Sequence, residues 1–255
     1  MWWCPTGIFS FFPLHAAGDY SPNAPLGSKL TDYAISSYTP SLVALLRALE
    51  SQPTVPHLPN VLVVIQPTAS GQMQLPGTEA ELEIIKAQAK DVVPITTLLQ
   101  SEATIDRVKE GMKIASSVHF ACHGIQNIEH PTESALLLEK QTLTLSEIIT
   151  MNLGSKDLAF LSACQTATGD ISLSDESVHL AAGMLLAGYR GVIATMWTIS
   201  DTHAPQVAKD VYKHLFQDPK AGAANAAEAL HLAVKNLQES GAPFQYWLPF
   251  IHFGV

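Results

Sequence analysis

Two side chains capable of nucleophilic chemistry stand at matching places in this sequence. The run "SVHFACHG" (117–124) brings His123 to its end, and "DLAFLSAC" (157–164) brings Cys164 to its end, about forty residues later. Each run is apolar and bounded by polar chain, the pattern of a buried strand. In open parallel sheets functional groups collect at the carboxyl ends of the strands. If these two runs are neighbours, an imidazole and a thiol share one rim. A thiolate there is a nucleophile, and the imidazole raises the thiolate fraction and moves protons.

Two other readings of the same residues stand beside that one. Cysteine is often buried simply as a small hydrophobe. A zinc site would draw on Cys122, Cys164, His119 and His123, yet strand alternation puts His119, Ala121 and His123 on one face and Cys122 on the other. No metal is expected. His119, deeper in its strand than His123, reads as a buried, hydrogen-bonded histidine. Gly124 lets a ligand approach the backbone closely, and its amide with that of Cys164 could receive a developing oxyanion.

These groups need a scaffold, and the rest of the chain spells one out. "VLVVIQP" (61–67) reads as a buried strand. "GTEAELEIIKAQAK" (77–90) reads as a helix, with Thr78 as N-cap and Glu81 at capping-box spacing. "VVPIT" is a short strand whose proline marks an edge, and "SEATIDRVKEGMKIA" (101–115) is helical. "SALLLE" and "TLTL" flank "KQ" as a hairpin that runs into the helical turn "SEIITM". After the strand ending in Cys164 come the helix "DESVHLAAGMLLAG", the strand "GVIATMW", the helices "HAPQVAKDVYKHLF" and "AANAAEALHLAVKNL", and the strand "FIHFGV". Strands apolar on both faces and separated by helices imply an α/β fold, with a mostly parallel sheet covered on both sides. Residues 1–56 are less regular and are expected to pack on one sheet edge. Residues 57–255 form the core, and the whole 1–255 is expected to be one continuous domain.

Composition excludes several classes. Fourteen Lys and Arg against 23 Asp and Glu give a net charge of −9, with no basic run, so neither nucleic acid nor an anionic membrane is an expected partner. Three cysteines without CxxC spacing cannot form a disulfide framework, and the reducing cytosol is the simplest home. The apolar start "MWWCPTGIFSFFPLH" has no basic lead-in and is broken by prolines, so it does not read as a secretory signal. "HLAAGMLLAGYRGVIATMW" is interrupted by glycines and Arg190 and falls short of a membrane span. The abrupt aromatic beginning reads as the tail of a longer architecture. No GxGxxG or GxxxxGK[ST] loop follows any strand, which leaves a nucleotide-binding reading without support.

"VHFACHG" followed by "LAFLSACQTATGD" resembles the CHAT domain, a relative of caspases and separases. "PLHAAG", "LPGTEAEL", "SALLLEKQTLTLSEI", "DESVHLAAGMLLAGYRGVIATMWTISD", "AAEALHLAV" and "WLPFIHFGV" are similar to its successive segments, so the resemblance spans nearly the whole chain. Fungal members often carry the domain after helical repeats, which are absent from this sequence, and the resemblance is to the fungal type. The resemblance implies a caspase-like three-layer sandwich and cysteine endopeptidase chemistry without a cofactor. His123 and Cys164 would be the catalytic pair, with the amides of Gly124 and Cys164 as the oxyanion hole. The implied partners are a polypeptide substrate and a regulatory helical-repeat domain or protein.

A caspase carries Gln two residues before its cysteine and a metacaspase carries Asp. This chain has Ser162, so neither charge logic for the specificity pocket transfers. Ser162 and Asp201 are the candidate substrate-binding residues, Asp201 supplying the acid if a basic side chain is preferred. Asp201 has a second reading as the N-cap of the helix "HAPQVAKD". Asp170, Asp175 and Glu176 read as a solvated loop, with Ser174 or Asp175 capping the next helix. His179, His203, His214 and His231 read as surface or packing residues. The alternative function is a signalling or scaffold module, silent or latent, that keeps the fold without turnover. Retention of both His123 and Cys164 argues against it.

Overall fold

The structure, a computed structural model, describes residues 1–50, 59–69, 71–125, 127, 130–165 and 176–255. Two short strands, β1 (Trp2–Trp3) and β2 (Ser37–Tyr38), precede helix α1 (Leu42–Glu50). Then come β3 (Val61–Ile65), α2 (Gly77–Ala89), β4 (Ile95–Leu99), α3 (Ile105–Ile114) and β5 (Ser117–Ile125). A hairpin, β6 (Ala135–Leu137) and β7 (Thr142–Thr144), leads into α4 (Leu145–Thr150) and β8 (Lys156–Gln165). The chain closes with α5 (Glu176–Ala187), β9 (Tyr189–Thr195), α6 (Ala204–Leu215), α7 (Ala226–Glu239), α8 (Phe244–Trp247) and β10 (Phe250–Gly254).

The sheet runs β1-β2-β10-β9-β8-β5-β3-β4, with the β6–β7 hairpin paired to β5. Five strands, β4, β3, β5, β8 and β9, are mutually parallel. β10 turns antiparallel to β9, and β2 and β1 follow its direction. Every residue of β3 is buried because helices cover both faces. On one face Val63, Ala121 and Phe160 pack with Leu82 and Ile85 of α2, Val211 of α6 and Ala233 of α7. On the other, Leu62, Phe120 and Cys122 pack with Met112 of α3, Ile148 of α4 and Met184 of α5. Leu62 and Val64 are fully buried, and each contributes about 1.5–3 kcal/mol relative to exposure.

Local signals set the element ends. Thr104 caps α3 by accepting from the Arg107 amide, and Thr144 and Glu147 form a reciprocal capping box on α4. The capping box expected at Thr78 does not form. The Thr78 hydroxyl lies inside the first turn and donates to the Leu75 carbonyl at 2.7 Å, while Glu81 is turned into the core. β4 lies at the edge, as expected, but starts only after Pro94, whose carbonyl accepts from Val61. The hairpin turn spans 138–141, closed by Leu138 N–H to Gln141 O at 2.9 Å, and is wider than the "KQ" pair. Asp170, Ser174 and Asp175 lie outside the described residues, and Glu176 opens α5.

Candidate active site

β5 and β8 are adjacent and parallel, and their register pairs His119 with Phe160, Ala121 with Ser162, and His123 with Cys164. Neighbouring strands lie about 4.8 Å apart, so the backbones of His123 and Cys164 stand side by side at the carboxyl rim. Cys164 is described here by its backbone alone. Cys122, one residue before His123, belongs to the opposite face and its core.

The His123 ring is 2 % exposed. Its Nε2 is 2.7 Å from the carbonyl oxygen of Met73, in the loop between β3 and α2. A carbonyl can only accept, so Nε2 carries the proton and donates it. In the neutral ring Nδ1 is then the basic atom, and it is buried without a hydrogen-bond partner among the described residues. A base oriented through its other nitrogen is the arrangement that proton transfer from a thiol needs. The loop holding Met73 is itself tied down. The Gln66 amide donates to Ala121 O at 2.9 Å and the Leu75 amide to Pro67 O at 2.9 Å.

Gly124 sits between two partners, Leu136 of β6 and Gln165 of β8. A Cβ built on it would meet Leu180 at 3.7 Å and Ala163 at 3.9 Å, ordinary contacts on the face away from His123. Ser162 is 3 % exposed, and its hydroxyl donates to Glu81 Oε1 at 2.8 Å. The other oxygen of Glu81 lies 2.9 Å from His119 Nε2. His119 Nδ1 is 3.2 Å from the Tyr212 hydroxyl, and its ring meets Phe160 edge-on. His119 is thus the buried, hydrogen-bonded histidine expected. Burial, reinforced by the Glu81 charge, holds the Tyr212 phenol far above its ordinary range.

Asp201, partly exposed beyond β9, does not cap its own helix, whose N-cap is His203. Its Oδ2 accepts the Gly77 amide at 2.8 Å and so caps α2 from a neighbouring element. Gly77 is required there, since a Cβ would sit 2.1 Å from the Asp201 carbonyl oxygen. The rim therefore assembles His123 and Cys164 side by side, with Ser162 one alternation below and Asp201 at the start of α2. His203 stacks on Tyr246, ring centroids 4.1 Å apart. Two participants were not among the expected site residues. Met73 acts through its main chain, which no residue type reports. Glu81 shares the helical face of Thr78, Leu82 and Ile85, and that spacing was a readable sign of burial.

Among the described residues no group of three His, Cys, Asp or Glu side chains converges as metal ligands, and no helix is long and apolar enough to cross a membrane.

A sequence model of the family described as CHAT domain matches residues 1–255. No curated protein matches the chain. The fold is shared with the Arg-specific cysteine proteinase gingipain R (TM-score 0.54, 14% identity), over 86% of this chain and 53% of that one. A complex of the pro- and mature domains of Porphyromonas gingivalis RgpB gives TM-score 0.53 at 13% identity, over 86% of this chain and 54% of that one. Separase in the Saccharomyces cerevisiae separase–securin complex gives TM-score 0.58 at 15% identity, over 89% of this chain and 14% of separase. This chain spans about half the length of the gingipain chain and a small part of separase.

Proposed function

The chain belongs to the CHAT-domain family, and from that premise we propose that it is a cysteine endopeptidase working through Cys164 and His123. The observation that carries the reading is the register pair His123–Cys164, joined to a His123 ring whose Nε2 proton is held by Met73 O. The fold shared with gingipain and separase supports it.

The reaction runs as follows. His123 Nδ1 takes the thiol proton of Cys164, and the sulfur attacks the peptide carbonyl to form a C–S bond. The amides of Gly124 and Cys164 receive the oxyanion. His123 returns the proton to the departing amine as the C–N bond breaks, leaving a thioester. Water, deprotonated by His123, hydrolyses the thioester and restores the thiol. No step calls for a metal or cofactor. The substrate is a polypeptide; Ser162, buried with its hydroxyl on Glu81, lies below the rim and does not itself meet the substrate, and Asp201 is the rim acid we assign to a basic side chain.

One observation favours a second reading, a domain latent until a partner protein acts on it. His123 is 2 % exposed, so in this conformation little of the ring is open to a substrate. The separase neighbour, for its part, forms a complex with a second protein, securin.

The test is covalent trapping. A peptidyl chloromethyl ketone should add one label to the wild type, mapped to Cys164, at a rate cut at least tenfold by His123→Ala. Labelling spread evenly over Cys4 and Cys164 and indifferent to His123→Ala contradicts the proposal.

A further inference from the structure

We infer that Glu81 is a positioning residue for the Cys164–His123 pair, acting as a buried brace between the two strands that carry it. The inference rests on the catalytic reading proposed above. Glu81 is 2 % exposed, and its two oxygens serve two different strands. Oε1 accepts from Ser162 of β8 at 2.8 Å, and Oε2 lies 2.9 Å from His119 of β5. Ser162 is the last residue before Cys164 on its face of β8, and His119 stands two alternations before His123 on the same face of β5. At about 3.3 Å per residue the brace grips β8 about 7 Å below the nucleophile and β5 about 13 Å below the base.

Glu81 also belongs to α2, and α2 is fixed to the rim at its other contacts. Asp201 holds its first amide, and the loop leading into it presents Met73 O to His123. One carboxylate therefore joins β8, β5 and the helix that follows the His123-orienting loop. A shift of α2 relative to either strand changes the height of thiol and imidazole together. A misplacement of about 1 Å at reacting groups costs on the order of a hundredfold in rate.

The proton accounting shows why a carboxylate fits. With the Tyr212 hydroxyl assigned as donor to His119 Nδ1, 3.2 Å away, the His119 proton sits on Nε2 and points at Glu81 Oε2. Ser162 O–H points at Oε1. Each of these three hydrogens has an acceptor when Glu81 is ionised and His119 neutral. A protonated His119 would leave the Tyr212 hydrogen without an acceptor among these groups. The result is a buried negative charge carried by two charge-assisted hydrogen bonds, a costly arrangement for packing alone.

The experiment uses a small alkylating reagent, so that substrate binding does not enter. Iodoacetamide is added to the full chain at pH 6, and the rate at Cys164 is read by peptide mass spectrometry against exposed Cys4 as internal reference. In the wild type the Cys164:Cys4 ratio is expected well above unity and to collapse in His123→Ala. Ser162→Ala and Glu81→Ala are expected to lower it about tenfold. Glu81→Gln should stay within threefold, because its amide oxygen can accept from His119 Nε2–H while its NH2 donates to the Ser162 hydroxyl oxygen, leaving the Tyr212 bond in place. Met112→Ala, a core cavity on the opposite face, is the stability control and should leave the ratio unchanged at temperatures where it is folded.

Ratios unaltered in Glu81→Ala and Ser162→Ala overturn the brace, as does an equal fall in Met112→Ala, which would mark a general loss of rigidity. A wild-type ratio near unity that ignores His123→Ala overturns the catalytic pair itself, and the brace with it.

Discussion

Met73 and His123, fifty positions apart, meet at 2.7 Å between a main-chain carbonyl and Nε2. That contact selects the tautomer with a basic Nδ1, on the residue whose register partner is Cys164. The orienting group is a backbone atom, and the Met73 side chain stands 78% exposed above it. Met73→Ala should leave kcat/KM within about threefold of wild type, whereas His123→Ala should reduce it by at least about 10³. Steady-state kinetics on one peptide substrate checks both. A large loss in Met73→Ala would give the side chain a role of its own.

Gly77 and Asp201 provide a second, sharper test. Any side chain at Gly77 meets the Asp201 backbone, which cannot rotate away. Gly77→Ala is expected to cost about 1–3 kcal/mol of stability and to lower turnover about tenfold by displacing the start of α2. Asp201→Ala, which removes only the cap, should cost about 1 kcal/mol. Urea unfolding ranks the two, and the reverse order contradicts the assigned contact.

Two histidines make stability depend on pH. His15, bonded to Tyr38 and to Leu248 O, is lowered by burial from 6.5 to about 4. His252, bonded to Ser37, is lowered by burial to about 3. Both are neutral in the fold, while the unfolded chain takes up their protons below about pH 6.5. Their stabilising contribution is therefore complete above pH 6.5 and lost as pH falls toward 4 and then 3, by an order of a few kcal/mol each. Both join the segment carrying β2 to the chain around β10, so that docking weakens first. Urea midpoints at pH 7, 6, 5 and 4 should fall progressively, and a flat profile down to pH 4 contradicts the burial of these rings.

Much of this architecture is written in local pattern. Val61–Ile65 and the run 158–161 of β8 are apolar on both faces because helices cover both, and that pattern is visible before any pairing is known. The register that sets His123 beside Cys164 follows from two adjacent parallel strands ending at similar heights. Adjacency itself is tertiary, and the sequence only permits it. Other parts were not legible for physical reasons. Asp201 reads equally well as the cap of its own helix, and only the packing of α2 beside the β9 rim assigns its carboxylate to Gly77. Glu81 at a capping-box spacing is the strongest local reading of a Thr-x-x-Glu motif, and tertiary hydrogen bonds from Ser162 and His119 overrode it. Its place on the stripe with Leu82 and Ile85 was the contrary signal. The role of Met73 lies in a carbonyl that every residue possesses.

The brace yields one more check, independent of activity. If Glu81 is ionised and His119 neutral with its proton on Nε2, 15N-edited spectra of the wild-type imidazoles should show a fully buried ring in that tautomer at neutral pH. Glu81→Gln should keep it, because the amide oxygen can accept the same proton. A doubly protonated His119 at pH 7 contradicts the hydrogen-bond accounting.

The central claim is tested most directly by digesting a proteome-derived peptide library with the wild type, Cys164→Ala and His123→Ala, and reading new termini by mass spectrometry. The account predicts new termini with the wild type and none with either variant. If basic residues precede the cut, Asp201→Asn should weaken that preference. Cleavage that persists in Cys164→Ala contradicts the account outright, because the bond would then be broken by something other than this thiol. Silence of all three samples contradicts the claim of activity for this chain alone and leaves the latent reading, to be settled by repeating the digestion with a partner protein added.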